Sequence, residues 1–175
     1  MENLSGSCRF SKACKDLGLR VLAVDKNPTR AENFPVASFD LTKAHDCQSV
    51  CKYVEAERES LVCAVFAPSC GTASKARERR IPGIQNVPRP WRSESYPDGY
   101  CQGFRNREAQ RVDEANASYA AMVSLIFILV GLGVAVSVEN PLNSFFWMTS
   151  FMVKLLQKYP GHCTVTTLHA WWNQG

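Results

Sequence analysis

LVCAVFAPSC, residues 61–70, is the stretch on which the reading of the fold turns. Seven apolar residues follow one another without a charge, as a parallel strand buried on both faces requires. The run then breaks at Pro68 and delivers Cys70 into the small-residue loop GTAS. Upstream, LRVLAVD (19–25) is a second apolar run ending in an acid. It follows a segment with helical spacing, Phe10, Ala13, Cys14 and Leu17, that closes on Gly18 as a helix C-cap. After a Pro-containing connection SFDLT reaches another acid at Asp40, and residues 43–59 read as a helix with Val50, Tyr53 and Val54 on its inner side.

Downstream, residues 71–106 hold Pro82, Pro88, Pro90 and Pro97 with few periodic apolar positions, which marks a long, irregular, basic insertion. A helix is expected over 107–130, then the strand VAVSVEN, a helix over 144–159 rich in Phe and Met, and CTVTTLH as a last strand. Helix and strand alternate throughout. The expected fold class is therefore α/β, with a mainly parallel, doubly wound, Rossmann-like sheet in one domain over 1–175. No internal repeat is visible.

The composition, 46% hydrophobic and 21% charged over 175 residues, suits one globular core. The start lacks a basic segment followed by an apolar one, so an intracellular chain, nuclear or cytoplasmic, is expected. Eight cysteines are scattered with no Cys-x-x-Cys pair; His45, Cys47, Cys51 and Cys63 are the nearest approach to a zinc set and lack a second tight pair. No metal is expected, and free thiols in a reducing compartment fit better. Net charge is +4, yet between Lys75 and Arg111 nine basic residues stand against four acidic ones. That concentration suits a polyanion such as DNA, and equally an ordinary solvated loop.

The stretch 115–138, ANASYAAMVSLIFILVGLGVAVSV, has no charge and is long enough to span a membrane. Against a span, Gly131 and Gly133 stand where a helix should stop, and VAVSV is β-branched. A buried helix followed directly by a buried strand is the reading adopted, with a single-span membrane protein as an alternative.

Ligands of open α/β sheets bind at the carboxyl ends of the strands. Collected there in order, SGSC, Asp25, Asp40, APSC and ENP resemble the S-adenosylmethionine-dependent DNA cytosine-5 methyltransferases. The likeness is nearest to the compact phage-type members with PPC and ENP motifs, and it spans residues 4–169. It implies a cofactor turn at Ser5, Gly6 and Ser7, where Cys8 replaces a second glycine, with Pro68 also beside the cofactor. Asp25 would take the ribose hydroxyls, and Asp40 would lie beside the adenine.

Cys70 falls on the family's nucleophile, with Ser69 in place of the second proline. A thiolate can add to cytosine C6 and later leave. Glu139 falls on the acid that holds the base edge and assists protonation at N3; a carboxyl group at the end of a buried strand has the desolvation for that work. Asn140 and Pro141 would shape the turn on the substrate side. Thr72, Ser74, Lys75 and Arg77 would contact the backbone of DNA with a flipped base.

The departures are equally plain. The first strand, which should be central, is reduced to MENLS, and LHAWWNQG stands where the family continues. The expectation is a truncated or degenerate copy of such an enzyme. The alternative of a different class is a non-catalytic nucleic-acid-binding module of a mobile-element polyprotein.

Overall fold

The computed structural model describes residues 1–3, 8–27, 34–75, 83, 90–100, 103 and 105–161. Five short strands form one sheet: β1 (Glu2–Asn3), β2 (Ala23–Asp25), β3 (Val36–Ser38), β4 (Cys63–Phe66) and β5 (Ala135–Val138). Their order is β3-β2-β1-β4-β5, and every neighbouring pair is parallel. Parallel neighbours need long crossovers. Helix α1 (Arg9–Asp16) lies between β1 and β2, α2 (Ala44–Ala56) between β3 and β4, and α3 (Asn106–Gly131) between β4 and β5; α4 (Ser150–Lys158) follows β5.

The register brings the strand ends level. Asn3 stands opposite Val24 and Phe66, Phe66 opposite Val138, and Asp25 opposite Ser38. All five strands thus present their carboxyl ends at one edge of the sheet.

The main hydrophobic cluster lies on one face, while Ala23, next to Val24 in β2, is buried as well. Val24, Ala64 and Phe66 pack with Val50 and Val54 of α2, with Met122, Leu125 and Leu129 of α3, and with Phe146 and Met152. Burying Phe66 completely contributes about 1.5–3 kcal/mol. Alternation along the strands sends Cys63, Ala135 and Ser137 to the opposite face, where they are exposed. The two-sided burial expected of LVCAVFA is therefore incomplete: on the second face of β4, Cys63 is exposed and Val65 half-buried. Tyr53 also faces outward, 39% exposed, because only Val50 and Val54, four residues apart, share the inner stripe of α2.

The ladder is shorter than the apolar runs. Residues 19–22 lead into β2 without pairing, and Leu19 is exposed. β3 ends at Ser38, so Asp40 lies two residues past it.

The uncharged run 115–138 divides between a helix and a strand. At the end of α3, Gly133 adopts φ 77°, its amide donates to the Val130 carbonyl at 3.0 Å, and Val134 donates to Leu129 at 2.9 Å. This paired closure is a Schellman motif, and it turns the chain straight into β5. By length and composition α3 is apolar enough to cross a membrane. Seven of its residues, Val112 and Tyr119 among them, are buried within the protein.

The helix expected over 144–159 is interrupted. Phe145–Met148 form a 3-10 turn that the Ser144 hydroxyl caps by accepting from the Phe146 amide at 3.2 Å. Thr149 is then extended, and α4 starts at Ser150. The strand expected at CTVTTLH lies outside the described residues.

Candidate active site

The segments that leave β4 and β5 are laced together. Beyond the Phe66–Val138 pair, the Glu139 amide donates to the Phe66 carbonyl at 2.8 Å, which carries the ladder one step further. The Asn140 side-chain amide then donates to the Pro68 carbonyl at 3.0 Å in a buried position. Asn140 Oδ1 is buried with no hydrogen-bond partner among the described residues. Adjacent strands thereby hold APSC and ENP against each other.

Cys70 opens a tight turn. Its carbonyl accepts the amides of Ala73 at 2.9 Å and Ser74 at 2.8 Å, and the cysteine itself is half-buried. The turn is tied from outside. Ala73, fully buried, gives its carbonyl to the Phe145 amide at 2.9 Å and to the Ser144 hydroxyl at 3.3 Å. The Tyr119 hydroxyl donates to the Ser69 carbonyl at 2.8 Å, and burial pushes this phenol up against the opposing pull of Arg92 and Thr72. Pro141 is exposed and its carbonyl accepts the indole N–H of Trp147 at 2.9 Å.

Glu139 is exposed. Val136 and Val138 take the core side of β5, so residue 139 falls on the open side with 135 and 137. The desolvation expected of this carboxyl group is not supplied by the strand.

The two candidate nucleoside acids stand on the far side of β1. Asp25 ends β2, and its Oδ1 accepts the Asn27 amide at 2.8 Å. Asp40 sits in the turn that opens α2: its Oδ1 takes the Thr42 amide at 3.1 Å and hydroxyl at 2.7 Å, while Asp46 accepts the Asp40 amide. Partial burial pushes the Asp40 carboxyl up. The bonds from Thr42 and the charges of Lys26 and Lys43 outweigh it and hold the group below its ordinary value. With strands about 4.8 Å apart, Asp25 lies roughly 10 Å across the sheet edge from the end of β4. Ser5, Gly6, Ser7 and Arg77 lie outside the described residues.

The basic segment is not uniformly a surface patch. Arg92 is fully buried: Nη1 donates to the Pro97 carbonyl at 2.8 Å and to Asn116 Oδ1 at 2.9 Å, and Nη2 to the Thr72 hydroxyl at 3.0 Å. Lys75 pairs with Glu94 at 3.2 Å and lies 4.9 Å over the Phe145 ring. Arg105, Arg107 and Arg111 are exposed. Sequence reasoning counted Arg92 among solvated charges and missed Asn116 and Tyr119 altogether. The available signal was that these two polar residues, three apart, share one side of a helix whose next turns are apolar.

Comparison with known proteins finds nothing: no family model, curated protein or solved structure matches the chain. A cleft of about 490 Å³ beside α2 is lined by Arg20 and residues 55–60, which precede the amino ends of β2 and β4 rather than follow their carboxyl ends, and there Arg20 already bonds Glu57 and Ser60. Among the described residues no group of three or more His, Cys, Asp or Glu is placed to hold a metal ion.

Proposed function

We propose that the chain is a Rossmann-like, methyltransferase-like domain acting at C5 of cytosine in DNA, with Cys70 as nucleophile. One observation carries the reading: the buried bond from Asn140 to the Pro68 carbonyl, which joins the cysteine segment to the glutamate segment on neighbouring strand ends. A strand order with β1 in the middle supports it, because the edge beside a central first strand is where such sheets bind nucleosides.

The donor set fits the nucleoside half of S-adenosylmethionine. Asp25 and Asp40 follow neighbouring strands at the same edge, and carboxylates accept hydroxyl and amino donors. That cofactor supplies an electrophilic methyl group. Cys70 adds its thiolate to C6 of the base, which raises electron density at C5. Glu139, in its protonated form, donates its proton to the base at N3 and so neutralises the negative charge that develops there. After methylation a water takes the C5 proton, the electron pair of that C–H bond forms the C5–C6 double bond, and Cys70 leaves as thiolate. Because Glu139 is exposed, the substrate itself must cover it and supply the desolvation. The target base must leave its duplex to reach this edge.

The test is trapping on DNA containing 5-fluorocytosine. Fluorine at C5 does not depart as the proton does, so an adduct accumulates. With saturating S-adenosylmethionine, a covalent product at Cys70 is expected on a denaturing gel, and none from Cys70→Ser. Absence of the adduct from the folded wild-type chain overturns the reading. Salt-sensitive DNA binding without cofactor binding would then point to the non-catalytic module.

A further inference from the structure

We propose that Arg92 is the positioning residue of the Cys70 turn: held from behind, its guanidinium fixes the Thr72 hydroxyl and so sets where Cys70 presents its sulfur. The inference rests on reading Cys70 as the nucleophile.

Arginine is seldom buried without a carboxylate. Among the described residues none makes an ion pair with Arg92. Its partners are neutral: a main-chain carbonyl at Pro97, the amide oxygen of Asn116, the hydroxyl of Thr72, and the ring of Tyr119 at 5.5 Å from its centroid. Nε has no hydrogen-bond partner among the described residues. Asp98, whose charge favours the Arg92 cation, spends a carboxylate oxygen on the Ser150 amide at 3.0 Å, at the start of α4. A fold that needed only a strap could have used an apolar side chain at residue 92. A buried cation bonded only to neutral groups among the described residues is worth its desolvation where a negative charge develops nearby.

The geometry gives that cation a direction. Asn116 accepts from Arg92 and donates to the Asp98 carbonyl at 2.8 Å, so α3 grips the strap of residues 90–100 at two points. The strap cannot slide along the helix while both bonds hold. Gly99, at φ 108°, lies against Val112 so closely that an added Cβ would sit 2.6 Å from Val112 Cγ1. Arg92 projects from this fixed strap to Thr72, two residues beyond Cys70. Tyr119 holds Ser69 on the other side of the cysteine. The turn is therefore clamped one residue before Cys70 and two residues after it.

Competitive alkylation in the full-length chain tests this. Cysteines are modified together by iodoacetamide and quantified by peptide mass spectrometry. Exposed Cys63 serves as the internal rate standard, and buried Cys8 reports unfolding. Arg92→Met is expected to slow Cys70 relative to Cys63 by about tenfold while Cys8 stays protected, and Arg92→Lys, which keeps a charge and a donor, to recover part of the rate. Thr72→Val, which removes the hydroxyl that accepts from Arg92 and also bonds Tyr119, is expected to slow Cys70 similarly.

A merely structural role gives the opposite pattern, with Cys8 and Cys70 both becoming faster, and overturns the proposal. So does an unchanged Cys70 rate in folded Arg92→Met. If Arg92→Met does not fold, an unchanged rate in Thr72→Val overturns it alone. No DNA or cofactor enters this measurement, so loss of the fluorocytosine adduct with the alkylation pattern intact defeats the methyltransferase reading and leaves Arg92 in its role.

Discussion

The side-chain amide of Asn140 reaches across from the end of β5 and donates to the carbonyl of Pro68 at the end of β4, 3.0 Å away and out of contact with solvent. Parallel strands bond to each other only along their length. This contact extends the union into the segments that carry Cys70 and Glu139.

Asn140→Ala removes the donor and strands a buried carbonyl. The expected loss is about 1–3 kcal/mol in denaturant unfolding. Asn140→Asp should be worse, since a carboxylate there meets the Pro68 carbonyl with no proton to share. An Asn140→Asp variant as stable as wild type would show that the bond contributes nothing.

Two glycines should respond differently to alanine. Gly133 has a positive φ and open space around its Cα, so Gly133→Ala carries only the backbone penalty of about 1–2 kcal/mol. Gly99→Ala adds a collision with Val112 to a positive φ, and overpacking of this kind costs about 1–3 kcal/mol more. Urea midpoints of the two variants check the order.

Asp40 makes stability depend on acid. Its folded pKa lies below the ordinary 3.8, so its contribution is complete above that value and is lost as pH falls through the folded pKa. Thr42→Ala removes the hydroxyl that accounts for part of the shift. Carboxyl carbon shifts followed by NMR should then show Asp40 titrating at higher pH than in wild type, and the acid unfolding limb should flatten.

Thiol reactivity should be graded by environment. Burial pushes the Cys51 thiol up to about 11, and its neighbours Cys47 and Glu55 add to that. At neutral pH Cys51 should react far more slowly than exposed Cys63. Cys47→Ser should speed Cys51, and the same peptide mass spectrometry reads the change.

The extent of α3 was legible, 107–130 against Asn106–Gly131, because a charged start and a glycine-punctuated end are local signals. Strand length was not. Residues 19–22 are as apolar as a strand, but among the described residues the pairing of β2 with β1 begins at Ala23, and which part of an apolar run enters a ladder depends on a partner distant in sequence. The order of Cys70 and Glu139 along the chain could be read, and so could their attachment to strand ends. The exposure of Glu139 followed from a parity along β5 that only the packed face fixes. Arg92 was illegible for a stronger reason: its partners Thr72, Pro97 and Asn116 come from three separate segments. Nothing local distinguishes it from a solvated arginine.

The narrow middle of the sheet has a mechanical consequence. On one side, Met1 donates to the Cys63 carbonyl and accepts from the Val65 amide, which reinforces β1 against β4 beyond the two paired residues. Against β2, the described residues show the two-residue register. Among the described residues, the seam with the fewest backbone bonds thus runs between the leaf that carries Asp25 and Asp40 and the leaf that carries Cys70. A force applied across the edge would part the two leaves there first, each keeping its own ladder intact.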